Sequence, residues 1–327
     1  MSTIDQIILD YRNAVSAKDM AVLADLTRAW LKVEQGLESE ISALAGEITR
    51  RLASGEIVTE QMLWKMQSYR RTLAEMERLI VSYNQVAIDI IAKAQYEAYL
   101  LGVTKANEIV IAELVSAGLT PPYWEKLNKD AIEAALGVMN DKNPFYASLY
   151  KDYGDSANAF RQALVEGIAR GQGVSQLALG MRDATGMGLN RSMLIAQTEM
   201  SRAYRSGTIE QYRGSGVGSY YVRLVKKDTA CLACLLKDGE RYELAEDMSD
   251  HPRGRCDLIL KIQGVPLPSW EHGSTWFRNQ SAEYQQSLMG PTRYEMWKDG
   301  TPLDSFIHLK DDPIWGKQPA IIPIRDL

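Results

Sequence analysis

The chain has 327 residues, 46% of them hydrophobic and 24% charged, enough to bury one large or two ordinary cores and unlike the composition of a disordered tail. Its formal net charge of -5 argues against a protein whose main task is coating DNA, because counterion release needs many Lys or Arg contacts with phosphates. The start, MSTIDQIILDYRNAV, lacks a basic leader region, no window approaches the ~20 apolar residues of a membrane span, and three cysteines give no disulfide framework, so a soluble protein made in the cytoplasm is expected.

To about residue 118 the pattern is helical, almost free of proline, and broken once, at ASGEIVTE. In the first helix Leu23, Leu26, Trp30, Val33, Leu37, Ile41, Leu44, Ile48 and Leu52 recur every three or four residues. Ser54-Gly55 supplies its stop, and Thr59 the N-cap of a second helix. There Met62, Met66, Tyr69, Leu73, Met76, Ile80, Tyr83, Ala87, Ile90 and Ala94 keep a strict heptad, the seam of a coiled coil. From Thr59 to Gly118 such a helix would extend roughly 90 Å at about 1.5 Å per residue. Residues 1–118 are therefore expected to form a helical hairpin arm that projects unless it kinks near Gly102. Pro121-Pro122 ends it.

Shorter helices are expected over YWEKLNKDAIEAALGVM, a piece opened by Asn143-Pro144, SANAFRQALVEGIARG, GVSQLALGMRDATG and LNRSMLIAQTEMSRAYRSGTIEQYR. In SYYVRLVKK, Tyr221, Arg223 and Val225 alternate with Val222, Leu224 and Lys226, as in a strand, and GERYEL and CDLILKI are its expected partners. The last part has helix signals, with Pro291 at a helix start and Gly300 after its end, and KQPAIIPIRDL reads as an extended strap. The fold class is mainly α with a small β element (α+β), divided at 1–118, 119–264 and 265–327.

All three cysteines fall in CLACLLKDGERYELAEDMSDHPRGRC, from Cys231 to Cys256. A CxxC pair lets two thiolates grip one ion from a tight turn, and His251 and Cys256 can close a tetrahedron of the ligand types zinc takes. Four protein ligands leave no position for water. Cys231, Cys234, His251 and Cys256 thus point to a structural Zn2+ that staples a sheet too small to hold its own core. A redox CxxC, a disulfide or simply buried thiols are the alternatives; redox chemistry would want a helix after the pair, and LLKDGERYEL reads as a turn and a strand. His-Pro can be a rigid turn, so Asp250 or Asp228 stays open as the fourth donor. Arg253 and Arg255 flank the site, where they would offset the net negative charge of three thiolates and one Zn2+ or contact phosphate.

No other constellation supports catalysis. A zinc deaminase needs a histidine upstream of its CxxC, and none precedes His251; HExxH and a Walker loop do not occur. GSGVG precedes a strand rather than a helix, so it reads as a connection. Glu199 and Arg202, one helical turn apart in TEMSR, read as a network holding that helix against the cysteine element. Trp270, Trp276, Tyr284, Tyr294 and Trp297 read as the core of the C-terminal helices.

Three stretches carry a resemblance. AQTEMSRAYRSGTIEQYRGSG has a Thr-Glu, Arg-Ala, small residue, Tyr pattern followed by a strand and CxxC; HPRGRC closes the cysteine window; WFRNQSAEYQQSLMGPTRYEMWKDG has a Trp, Gln, Leu, Gly, Arg, Trp, Gly ending. Together, from about 159 to 307, these resemble the phage head morphogenesis proteins, the Mu F-like minor head proteins. Some members carry a further cysteine where this chain has Gly254, so a role that needs four cysteines does not transfer. The resemblance implies a non-catalytic virion component inside the phage head near the portal, acting in head assembly or DNA delivery. Its implied partners are the portal protein, the major capsid or scaffold protein, and, weakly, packaged DNA. The alternative is a zinc-stabilised DNA-binding protein accompanying the genome, read from Lys226, Lys227, Arg253, Arg255 and Lys261. Some relatives append a toxin or nuclease, for which the few dozen residues after Arg293 are too short.

Overall fold

The computed structural model describes residues 3–121, 152–313 and 315–327. The expected helix over 123–139, the piece opened by Asn143-Pro144, and Pro122 of the expected boundary lie outside the described residues. Helix α1 spans Thr3–Ala53 and ends at Ser54 and Gly55, where the backbone turns to φ 83. Thr59 caps α2 (Glu60–Lys65), its Oγ1 accepting from the backbone N–H of Met62 at 3.3 Å. Met66 then leaves the helix (ψ 127) before α3 (Gln67–Ser116), so the single helix expected from Thr59 is two pieces.

The chain divides into two compact units. One contains residues 18–94 and 152–196. In it the apolar stripe of α1, including Leu26, Trp30, Leu37, Leu44 and Ile48, is buried, as are Tyr69, Leu73, Met76, Ile80, Tyr83 and Ala87 of α3. Trp30 meets Tyr83 edge-on at 4.8 Å, Ser68 Oγ donates to Glu47 at 2.6 Å, and Arg71 pairs with Glu40. The buried seam departs from the heptad at both ends: Leu63 rather than Met62 is buried, and Ile91 rather than Ile90. The break at Met66 resets the face at Leu63, while within Gln67–Ser116 a straight helix drifts about 20° per heptad, which over the three heptads from Tyr69 to Ile90 is most of one residue's rotation. Helices α4 (Asp152–Ala169) and α5 (Val174–Thr185) bury Phe160, Leu164, Leu177 and Met181 in this unit. Helix α6 (Met187–Gly214) begins here and continues into the other unit.

The other unit contains residues 3–17, 95–121 and the described residues from 197 onward. Its centre is an antiparallel sheet of order β2-β1-β3, formed by β1 (Gly218–Leu224), β2 (Arg241–Glu243) and β3 (Asp257–Ile262). β2 and β3 lie in the segments expected to form them, whereas β1 begins one residue before SYYVRLVKK and ends before its Val225, Lys226 and Lys227. Period two sends Tyr221, Leu258, Leu260 and Ile262 into the larger core with Val110, Ile209, Tyr212 and Phe277, while Val222 and Ile259 pack with Ile8 and Ile109. Both faces of this small sheet are thus covered. Gly102 does not interrupt α3; it lets α3 and α6 touch. A Cβ there would overlap the carbonyl oxygen of Tyr204, and one at Gly207 would overlap that of Tyr99.

Beyond the sheet come α7 (Leu232–Leu236), α8 (Gly273–Arg278), α9 (Ala282–Met289) and α10 (Pro291–Lys298). Ser281 caps α9, Gly290 makes the turn at φ 77, and Pro291 opens α10, as the sequence suggests. Trp276, Tyr284, Tyr294 and Trp297 pack against the larger core. The tail is not a single extended strap: β4 (Ile307–Asp312) and β5 (Gly316–Ile321) pair as a hairpin from Ile307↔Ile321 to Asp312↔Gly316. IHLKDD is largely exposed and lacks an apolar alternation, and Pro319 sits where its missing N–H is tolerated in a two-stranded edge. The architecture is mainly α with small antiparallel sheets. Among the described residues no helix is long and apolar enough to cross a membrane.

Candidate metal centre

β1 ends at Leu224, and a short 3₁₀ turn delivers Cys231 as the N-cap of α7, with Cys234 one turn later. That helical turn inside the CxxC was not expected from LLKDGERYEL. Its five residues are followed by Gly239 at φ 86 and then β2, so no long helix follows the pair. Cys256 immediately precedes β3, whose first residue pairs with Leu224, so the sheet register brings the start of β3 beside the end of β1. His251 comes from the loop between β2 and β3.

The four sequence-predicted residues line one cavity, but their donor atoms form two groups that share Cys234, and Cys256 is grouped with Asp250 rather than with His251. His251 Nε2 lies 3.4 Å from Cys231 Sγ and 3.2 Å from Cys234 Sγ. In a tetrahedron with Zn–S about 2.3 Å and Zn–N about 2.0 Å, sulfur and nitrogen stand about 3.5 Å apart. Donor atoms of Cys231, Cys234 and His251 all lie within 4.8 Å of one another, as do those of Cys234, Asp250 and Cys256. These clusters could hold a metal ion. His251 Nδ1 lies 2.9 Å from the carbonyl oxygen of Pro252, which suits an Nδ1–H and turns Nε2 toward the sulfurs. Asp250, the other acidic candidate beside the cysteines, faces elsewhere as well: its carboxylate pairs with Arg205 at 3.0 Å and accepts from the His251 backbone N–H at 2.9 Å. Asp228 stands outside both clusters and pairs with Lys226 at 3.8 Å.

The thiols are electrostatically prepared. The hydrogen bond from Cys234, then the one to His251, draws the Cys231 thiol down to about 4. The bond to Cys231 raises His251 to about 9. Cys234, donating to both other sulfurs, is pushed up, while Cys256 is lowered by Cys234 and by the cations Arg223 and Arg205. Cys231 and Cys256 thus have thiolate character, the form that binds a metal ion, while Cys234 and His251 would each give up a proton on binding one.

Sequence reasoning assigned charge compensation to Arg253 and Arg255, but both are exposed, and the buried guanidiniums are Arg223 and Arg205. Arg223, on the β1 face shared with Tyr221, donates to Cys256 Sγ at 3.4 Å, to Tyr242 Oη at 2.9 Å and to the carbonyl oxygen of Ser249. Its only sequence signal was an arginine at an inward position of an alternating strand. The TEMSRAYR segment of α6 grips the loop that carries His251 and Cys256: Thr198 Oγ1 accepts from the Arg253 N–H at 3.1 Å, and Arg205 donates to the Gly254 carbonyl oxygen at 3.1 Å. Gly254 has no space for a side chain, because a Cβ would overlap the Asp250 carboxylate. Glu199 is also in a network, accepting from Gln95 at 2.9 Å and pairing with Arg202, which donates to the Trp315 carbonyl oxygen at 2.7 Å. His272 and His308 do not join the cluster.

The family model described as Phage Mu protein F like protein matches residues 158–259, from within α4 through the helix of TEMSR, the CxxC and HPRGRC to β3. The C-terminal Trp-Gln-Gly-Arg stretch lies beyond the matched residues. No curated protein and no solved structure matches the chain. Over residues 158–259, which hold all four of the convergent Cys and His residues, the chain is similar to the phage Mu F-like family, as its motifs imply.

Proposed function

We propose that this chain is a phage head morphogenesis protein, a non-catalytic virion component whose Mu F-like module is stapled by one structural zinc held by Cys231, Cys234, His251 and Cys256. The observation that carries the reading is coincidence: the segment that matches the family is the one that holds two candidate donor groups sharing Cys234, one with Cys231 and His251 and one with Asp250 and Cys256. Zinc there would hold the ends of β1 and β3 together and fix the loop between them. The chain's own residues position the donors: Pro252 orients His251, Arg223 stabilises the Cys256 thiolate, and Thr198 and Arg205 hold the loop.

The assembly role places the protein inside the head near the portal, with the portal protein and major capsid or scaffold protein as partners in assembly or DNA delivery. Residues 1–118 are the segment we assign to docking on those partners. Because residues 3–17 and 95–116 also pack in the unit that holds the cysteines, the test is a hairpin shortened within 18–94 rather than removal of the whole segment. Purified heads should contain the full chain and lack the shortened one; equal incorporation of both would refute the docking assignment. Recovery of the full chain only outside particles would refute the virion role.

A further inference from the structure

We propose that α1 and α5 form a docking groove for an amphipathic helix of a partner protein, one with two basic residues a turn apart beside its apolar stripe. The groove deepens the docking assigned to residues 1–118 by giving the partner a chemistry, and it rests on that reading only for the partner being a head protein. The cysteines take no part in it. A cavity of about 410 Å³ is lined from Leu31 to Ser42 of α1 and from Ser175 to Thr185 of α5, segments of the same compact unit. The lining positions recur with helical spacing, so one face of each helix is involved over about three turns, roughly 16 Å of α1 at about 1.5 Å per residue. Polar groups spread along such a length, rather than meeting at one point, suit a docked helix better than a small molecule.

The groove is apolar within and at its rim. Leu37 and Ile41 are buried, whereas Leu31 and Leu179 stay 45% and 48% exposed. Two leucines that line one concave surface leave apolar area for a partner to cover.

The charge on the α1 wall selects the occupant. Glu34 and Glu38 both line the groove, and like charges four residues apart on a helix repel. The positions three and four away from Glu34 hold Trp30, Leu31, Leu37 and Glu38, and those around Glu38 hold Glu34, Gln35, Ile41 and Ser42, so α1 offers neither a cation. Among the described residues no cation pairs with either glutamate. Other acids of the same unit are served from within the chain: Asp25 by Arg28, Glu40 by Arg71, Glu47 by Arg51 and Glu75 by Arg78. Arg182, the cation among the described lining residues, pairs with Asp183 at 3.7 Å, and Lys32, two residues from Glu34, does not line the groove. A partner helix with Lys or Arg at i and i+4 supplies both counter-charges, while its apolar stripe covers Leu31 and Leu179.

The test is fluorescence anisotropy of two labelled, alanine-based peptides of about 18 residues, long enough to hold a helix, titrated with the full chain. They share a leucine stripe and differ at two flanking positions four apart, Lys in one and Glu in the other. The wild type should bind the lysine peptide at least about tenfold more tightly than the glutamate peptide. Glu38→Lys should abolish that preference, Glu34→Gln with Glu38→Gln should level it, and Leu179→Ser should weaken both peptides. Glu77→Lys, an exposed change on α3 outside the groove, should bind like the wild type. Thermal unfolding of the same samples shows whether each variant keeps its fold. A wild type that binds neither peptide or prefers neither overturns the proposal, as does an equal loss in Glu77→Lys, which would reduce the effect to net charge. Sedimentation showing a dimer of this chain that Glu38→Lys dissolves overturns it in favour of a second copy. No particle enters the measurement, so failure of the groove leaves incorporation into heads standing, and absence from heads leaves the groove standing.

Discussion

The backbone N–H of Arg253 donates to Oγ1 of Thr198 at 3.1 Å, tying the loop that carries His251 and Cys256 to helix α6. Among the described residues Arg253 is the one non-glycine with positive φ, at 61°, a conformation that costs about 1 kcal/mol or more and persists only where surroundings hold it. Thr198 is therefore a positioning residue for the ligand loop. That gives the threonine of TEMSR a physical meaning beyond helix propensity.

Replacing Thr198 by Val keeps its shape and removes the acceptor. The orphaned Arg253 N–H should cost about 1–3 kcal/mol of stability. Loss of a residue that positions metal ligands should weaken metal binding by roughly tenfold to a hundredfold. Chelator competition measures this, and Thr198→Ser should restore most of it; a Val variant with wild-type affinity would remove Thr198 from the site's support.

The fourth donor is separable by two substitutions. Asp250→Asn should leave one metal bound per chain, although stability falls because Arg205 and Arg223 lose a buried carboxylate. His251→Ala should loosen the metal markedly. Metal stoichiometry after gel filtration decides, and the opposite pattern assigns the fourth position to Asp250.

Lys105 on α3 is fully buried and bonds both Asp257 and the carbonyl oxygen of Leu258, holding the start of β3 next to Cys256. Lys105→Met leaves Asp257 with the Leu258 backbone N–H at 2.9 Å and, as a cation, the more distant Arg12 at 3.7 Å, and should cost about 3–5 kcal/mol in denaturant unfolding. Adding Asp257→Leu should recover a large part of that loss. A double variant no more stable than Lys105→Met would show that β3 depends on the carboxylate itself.

Burial pushes Glu113 up to about 7 from its ordinary 4.5, with Lys261 opposing the shift. Below pH 4.5 both folded and unfolded chains hold this proton. Between 4.5 and 7 the unfolded chain releases it while the folded chain keeps it, so stability falls as pH rises through that window and is level above it. Glu113→Gln should remove this component and stabilise the protein by about 2–3 kcal/mol at pH 8 relative to pH 4 comparisons of the same pair. A difference between the two proteins that does not change from pH 4 to pH 8 would contradict the burial argument.

Where one physical rule dominated, the sequence was legible. Helical periodicity located the seam from Leu26 to Ile48, period two located β1 and β3, and the N-cap at Thr59 and the Pro291 start are where short-range chemistry puts them. Cys and His spacing pointed to Cys231, Cys234 and His251, which form one candidate donor group, and to Cys256, but left Asp250, which stands with Cys234 and Cys256 in the other, as no more than an open alternative. Legibility failed where long-range packing decides. Nothing local marks Gly102 and Gly207 as a helix crossing, Arg223 as the guanidinium behind Cys256, or IHLKDD and GKQPAI as partners in a hairpin. The strict heptad also misplaced Ile90, because drift accumulates along a helix longer than the window in which the pattern was read.

The central claim is tested most directly by metal analysis of the full chain purified without chelators, with the absorption spectrum recorded after exchange into Co2+. The account predicts one zinc per chain and thiolate-to-cobalt bands that weaken when Cys231, Cys234 or Cys256 is replaced, together with loss of cooperative unfolding on chelation. A chain that folds cooperatively with no stoichiometric metal, and whose three thiols react freely with a thiol reagent, would contradict it.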